Sequence, residues 1–146
     1  MTLQDTARTD EDPGERRPIN SVLEAVSFRI SRLAAINERA GGHVFRSAFG
    51  ISLNEWRILG ITAALQPVTF GAIRAMLVMD KGQLSRVVKA LIERKLIESR
   101  SASGDARQIE LSLTEAGQAL HAQAIEFTVE RNAVMGSVLS DEEWQL

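Results

Sequence analysis

With 146 residues, 45% of them hydrophobic and 25% charged, the chain has the size and make-up of one soluble globular domain. No apolar run approaches the length of a membrane span, and the polar start "MTLQDTARTDEDPGERRPIN" holds no stretch of signal-peptide type. There is no cysteine, which excludes disulfides, cysteine-based zinc sites and thiol redox sensing, and a cytoplasmic location is the simplest expectation.

The net charge of -2 conceals an uneven distribution. Residues 81–108 hold 7 basic and 3 acidic groups, whereas residues 109–146 hold 1 basic and 7 acidic. A short basic window in an otherwise acidic chain is the electrostatic footprint that a polyanion requires. The alternative is a solvated helix face, and charge alone favours that reading.

Residues 1–20 read as a disordered arm, since they are polar and mixed in charge. "SVLE", "SLNE" and "SDEE", at Ser21, Ser52 and Ser140, each set Ser three residues before Glu and predict a capping box at a helix start. The first helix carries Val22, Val26, Ile30 and Leu33 at helical spacing, with Gly41 and Gly42 expected to kink or interrupt it and Gly50 to stop it. The second carries Leu53, Trp56, Ile58, Leu59 and Ala63 and ends at Pro67. "PVT" is too short for a strand unless it pairs with another element.

Two helical segments follow across a short turn. "TFGAIRAMLVM" sets Phe70, Ile73, Met76 and Leu77 on one face. Asp80 then caps "KGQLSRVVKALIERK", with Gln83 completing a second kind of capping box. Leu84, Val87, Val88, Leu91 and Ile92 form its buried stripe. Lys81, Gln83, Ser85, Arg86 and Lys89 fall away from that stripe, near the amino end.

"LIESRS" and "QIELSL" read as the strands of a hairpin around "RSASGDARQ", which begins at Arg100. Ile109, Leu111 and Leu113 alternate with polar residues, the pattern of a half-buried strand. From Thr114 to about Leu139 the chain is helical again, with Leu120, Ala124, Phe127, Val134 and Val138 as a broken apolar stripe. The final capping box is followed by almost no chain, so the last helix is expected to be truncated.

Helix, helix, tight turn, basic helix and hairpin is the order of a winged helix-turn-helix. Such a basic helix docks in the major groove and presents its amino-terminal residues to base edges. Gln pairs with adenine there, and Arg or Lys with guanine. Ser52 and Thr69, at the amino ends of two other helices, are candidates for phosphate contacts, and Arg100 is a further candidate for contact with DNA. The expected fold is mainly α with a small β-hairpin: a winged helix-turn-helix with flanking dimerisation helices.

The residues "NEWRIL", "DKGQLSRVVKALIERKLIESR" and "GDARQIELSLTEAG", in this order, make the chain resemble the MarR (multiple antibiotic resistance regulator) family from about Leu23 to its end. The resemblance implies a homodimeric transcriptional regulator that binds double-stranded DNA, commonly released by small aromatic or phenolic effectors. It implies that Arg107 reaches the minor groove or its flanking phosphates, and that Asp105 helps hold that arginine. It also implies dimerisation through the first helix and the last two. The domains then read as an arm at 1–20, helical dimerisation regions at 21–50 and 114–146, and a DNA-binding winged helix at 51–113.

Phe28, His43 and Trp56 are candidates for an effector pocket, although packing in the core is the plainer role for the two large aromatics. His43 and His121 are the only histidines, and neither has the neighbours of a metal site. No Ser/His/Asp arrangement, P-loop or dinucleotide-binding glycine pattern is present, so neither catalysis nor a cofactor is expected. The leading expectation is a ligand-responsive repressor acting on a pseudo-palindromic operator. The competing one is a winged-helix protein-interaction module whose basic helix binds an acidic partner.

Overall fold

The computed structural model describes residues 18–102 and 105–144, with the backbone alone at 105–107 and 144. The arm expected over 1–20 lies outside the described residues except for 18–20, which are exposed. Contacts divide the chain into two units, Met1–Asn37 and Glu38–Leu146.

A 3-10 turn, Val22–Glu24, precedes helix α1, Val26–Phe49. The box expected at Ser21 is not formed. Ser21 Oγ accepts from Leu23 N–H instead, and Glu24 Oε2 accepts from Asn20 N–H. Gly41 and Gly42, expected to break the helix, lie inside it. The propensity penalty of two glycines is about 2 kcal/mol and is overridden by packing. Gly41 is buried, and a Cβ there would stand 2.8 Å from Arg131 Nη1 and 3.4 Å from Leu53 Cδ2, so a bare backbone lets other elements approach. Gly50 ends α1 as expected, at φ +64, with the Gly50 N–H bonded to Arg46 O and the Ile51 N–H to Phe45 O.

Helix α2, Leu53–Leu65, begins at the predicted Ser52 capping box, both halves of which are formed. Val68–Thr69 is a strand, β1, because it does find a partner. Helices α3, Phe70–Leu77, and α4, Lys81–Glu93, are capped by Thr69 and Asp80. The strands β2, Ile97–Ala102, and β3, Asp105–Leu113, form the hairpin. The antiparallel sheet has the order β1-β3-β2, with Val68 opposite Leu111 and Ile97 opposite Leu113. Where β1 has run out, Gln66 Oε1 accepts the Leu113 N–H at 2.8 Å and extends the ladder by one bond.

Helix α5, Glu115–Gly136, starts at Thr114, whose hydroxyl donates to Lys95 O at 2.6 Å and accepts from Gly117 N–H. A Cβ on Gly117 would stand 2.0 Å from the Leu96 carbonyl oxygen, so this turn of α5 closes on the backbone only with glycine. Four residues, Asp141–Trp144, form the short α6 behind the third predicted box. The Ser140 backbone N–H, then its hydroxyl, hold the Glu143 carboxyl below its ordinary value.

The core of the second unit joins Ile58 and Leu59 of α2, Ile73 of α3, Leu84 and Leu91 of α4, and Ile97 and Leu111 of the sheet. Thr62 is buried among them and donates to Ile58 O at 2.8 Å, which removes the penalty of an unpaired hydroxyl. Several residues of the predicted apolar faces are exposed instead: Met76, Ile109, Val134 and Val138, together with Val22, Val26, Ile30 and Leu33 of the first stripe. Periodicity reports the apolar face of an element but not how far its neighbours extend over it. No described helix is long and apolar enough to cross a membrane.

Candidate nucleic-acid interface

Helix α4 is held from both ends. Asp80 Oδ1 accepts the Gln83 N–H at 2.9 Å, which satisfies one orphan donor of the first turn. At the other end Arg94 donates to Glu55 Oε1 at 2.9 Å, while Glu55 Oε2 accepts the Ser52 N–H. One carboxylate therefore caps α2 and anchors the end of α4. Between these ties Leu84, Val88 and Leu91 are buried, which fixes the rotation of the helix about its axis.

That rotation exposes Lys81, Ser85, Arg86 and Lys89, with Gln83 half-buried. Lys81, Ser85 and Lys89 are four residues apart, so they form one row along α4. Among the described residues Lys81 and Arg86 have no ion pair, and Lys89 has only an exposed 3.8 Å pair with Glu93 on its own helix. Such surface pairs contribute about 0–1 kcal/mol, so Lys89 remains available to an anion.

A groove of about 520 Å³ lies beside this row, with Thr69, Phe70, Lys81, Ser85, Gln108 and Ile109 in its walls. A second, of about 340 Å³, runs between α4 and the sheet and shares Phe70, Ser85 and Ile109 with the first. Gly71, which also lines the first groove, Arg74, Val78 and Asp80 line a further cleft of about 480 Å³. Arg74 is an exposed cation that sequence reasoning passed over; its place on α3, off the Ile73 face, was the available signal. Gln108 and Ile109 were also passed over as surface residues.

The other candidates fall differently. Thr69 Oγ1 accepts from Ala72 N–H and lines the larger groove, with its hydroxyl proton free to donate. Ser52 gives its N–H and its acceptor oxygen to the cap, so only its hydroxyl proton is left. Arg100 is exposed on β2 and paired with Glu98 at 2.8 Å. Asp105 and Arg107 lie among the first three residues of strand β3, and their side chains lie outside the described residues.

Of the three pocket candidates, Trp56 is in the core. Its ring stacks on Phe45 at 5.3 Å and on His121 at 5.3 Å, and Phe127 meets Phe45 edge-on. The His121 stack joins residues 65 positions apart in sequence, which local spacing does not signal. His43 is exposed, and Phe28 is half-buried in the first unit.

Residues 49–108 match the model of the MarR family. No curated protein sequence matches the chain. Among solved structures, a MarR/EmrR family transcriptional regulator from Acinetobacter sp. ADP1 is 31% identical, with 82% of this chain and 84% of that one covered and a TM-score of 0.76. S. aureus MepR, solved as a DNA complex, shares the fold at 22% identity, 83% and 89% coverage and a TM-score of 0.75. PcaV from Streptomyces coelicolor, solved with its natural ligand, shares it at 17% identity, 88% and 90% coverage and a TM-score of 0.71. The capped basic helix, the three-stranded sheet with its hairpin and the 31% identity over most of both chains agree: the chain belongs to the MarR family of winged helix-turn-helix transcriptional regulators.

Proposed function

We propose that the protein is a sequence-specific DNA-binding repressor that works as a homodimer on a pseudo-palindromic operator and releases it on binding a small aromatic or phenolic ligand. The observation that carries the reading is the exposed row on α4, basic and largely unpaired, held at fixed rotation beside the hairpin. Helix α4 enters the major groove, where Gln83, Arg86 and the row Lys81, Ser85 and Lys89 meet base edges and the adjoining phosphates. Thr69, Ser52 and Arg100 serve phosphates. Arg107 extends from the wing to the minor groove, and Asp105 holds it.

Residues 51–113 are then the DNA-reading part, and 21–50 and 114–146 the dimerising parts. Val26, Ile30, Leu33 and Ile36 of α1 are 57–70% exposed, which supports burial of this stripe against a second copy. The dimer carries its two α4 helices about 34 Å apart, one turn of DNA. Effector release draws its support from the family and from PcaV, solved with a ligand; Phe28, His43 and Trp56 are the pocket residues to test first. A chromosomal target implies a cytoplasmic protein.

Electrophoretic mobility shifts on duplexes recovered from genomic fragments test the reading. Arg86→Ala is expected to cost about 1–3 kcal/mol and to relax preference at one base position. Arg107→Ala is expected to weaken binding to many sequences alike and to lower the salt dependence. If neither variant altered binding, the docking would be wrong. If the wild type captured an acidic protein and no duplex, the interaction-module reading would replace it.

A further inference from the structure

The ionic and hydroxyl groups around α4 suit phosphates and base edges, but the walls of the adjoining grooves are largely apolar. Phe70 and Ile109 line both grooves, and Val88, Ile92 and Leu111 line the one nearer the sheet. Ile109 is the anomaly among them. It lies on the same strand face as Leu111 and Leu113, which are 0% and 6% exposed, yet it is 51% exposed itself. Its partner across the hairpin is Ser101, which offers it no apolar cover. The chain thus leaves half of a large aliphatic side chain in water beside its most basic helix, with Lys81 and Ser85 in the facing wall of the groove.

We propose that this groove seats one sugar–phosphate strand of the bound duplex, with Ile109 packed on a deoxyribose face. The proposal rests on the DNA-binding reading above and deepens it. A strand that passes from the major groove, where α4 docks, to the minor groove, where the wing reaches, crosses the space between them. That strand alternates an anionic phosphate with a sugar whose faces are C–H groups. The groove wall matches the alternation: Lys81 neutralises a phosphate, with Lys89 in the adjoining groove neutralising another, the hydroxyls of Thr69 and Ser85 donate to them, and Ile109 and Phe70 meet sugars. Ile109 then contributes affinity without releasing a counterion.

This last property makes the proposal testable. A duplex selected by the wild-type protein from a random library is titrated by fluorescence anisotropy over a series of salt concentrations, with wild type, Ile109→Ser, Ile109→Leu and Lys81→Ala. Ile109→Ser is expected to weaken binding about tenfold, the share of the side chain's transfer energy not already realised in the free protein, and to leave the slope of log K against log salt unchanged. Ile109→Leu keeps the apolar contact and is expected to bind within about twofold of wild type, a cost within the range of volume-conserving swaps. Lys81→Ala is expected to reduce the slope by about one. Should Ile109→Ser fail to fold, Ile109→Thr, which keeps the branched shape, carries the same expectation. Undiminished affinity in the serine variant, or a loss of slope like that of Lys81→Ala, overturns the proposal. So does loss of benzoate binding with Ile109→Ser at unchanged DNA affinity, which would assign the groove to a small acid. Failure of the wild type to select any duplex removes the DNA reading itself, and the groove's role with it.

Discussion

Helix α4 and the first half of α1 are built on the same sequence logic and end in opposite circumstances. Each sets large aliphatic residues three and four apart along one face. On α4, Leu84 and Leu91 are fully buried and Val88 nearly so, against α2 and β2. On α1, Val26, Ile30, Leu33 and Ile36 are exposed. The difference teaches that an amphipathic pattern states that a face will be covered and is silent about what covers it. For α4 the cover is a set of residues distant in the same chain. For α1 we take it to be a second copy, since bare stripes of this kind mark interaction surfaces.

The largest expected effect comes from breaking that difference at its exposed end. Ile30→Glu with Leu33→Glu sets charges on the α1 stripe. Each aliphatic contact is worth about 1.5–3 kcal/mol when fully buried, and twofold symmetry counts every substitution twice. Dimerisation is therefore expected to weaken on the order of 10⁴-fold. Sedimentation equilibrium would show a monomer, while the far-ultraviolet circular dichroism of the winged helix stays as in wild type. A double variant that remained dimeric would remove α1 from the interface.

The next test sets the two stripes side by side. Leu84→Ala is expected to cost about 2–5 kcal/mol in denaturant unfolding at any protein concentration, because it opens a cavity in the core of a single chain. Leu33→Ala is expected to cost within about 0.5 kcal/mol where the protein is dissociated, and more as concentration rises. Equal, concentration-independent losses would show that the α1 stripe is covered within its own chain, and the contrast between the helices would collapse.

Much of the winged helix was legible because its signals are local. The Ser52 box, the Asp80 cap and the period of Leu84, Val88 and Leu91 each lie within one turn of what they predict. What escaped depends on distant partners. Gly41 and Gly42 looked like a break, and the helix runs through them because packing near Gly41 outweighs propensity. Val68–Thr69 became a strand only because Leu111 and Glu110 were there to pair with. Ser21 failed as a box because Glu24 turned to Asn20. The candidate DNA residues were readable as a polar row on α4. The groove beside them was not, since Phe70, Ser85 and Ile109 meet only after the hairpin folds back.

The smallest effect sharpens the comparison at the helix ends. Both α1 and α4 close with a pair of backbone bonds around a left-handed residue, reaching one residue further back in α1: Gly50 N–H to Arg46 O and Ile51 N–H to Phe45 O there, Lys95 N–H to Ile92 O and Leu96 N–H to Leu91 O in α4. Both need a left-handed residue, at φ +64 for Gly50 and φ 57 for Lys95. Glycine meets that need without strain, whereas a residue with a Cβ costs about 1–2 kcal/mol. Glycine also loses more chain entropy on folding, about 0.5–1 kcal/mol. Lys95→Gly is therefore expected to stabilise the protein by about 0.5–1 kcal/mol, read as a higher urea midpoint at unchanged slope. Gly50→Ala is expected to lower it by a similar amount. The Lys95 carbonyl also accepts the Thr114 hydroxyl, so its backbone is gripped from the start of α5 as well. If Lys95→Gly brought no gain, that grip and the lysine side chain would already compensate the strain, and the two helix ends would be equivalent in energy despite their different residues.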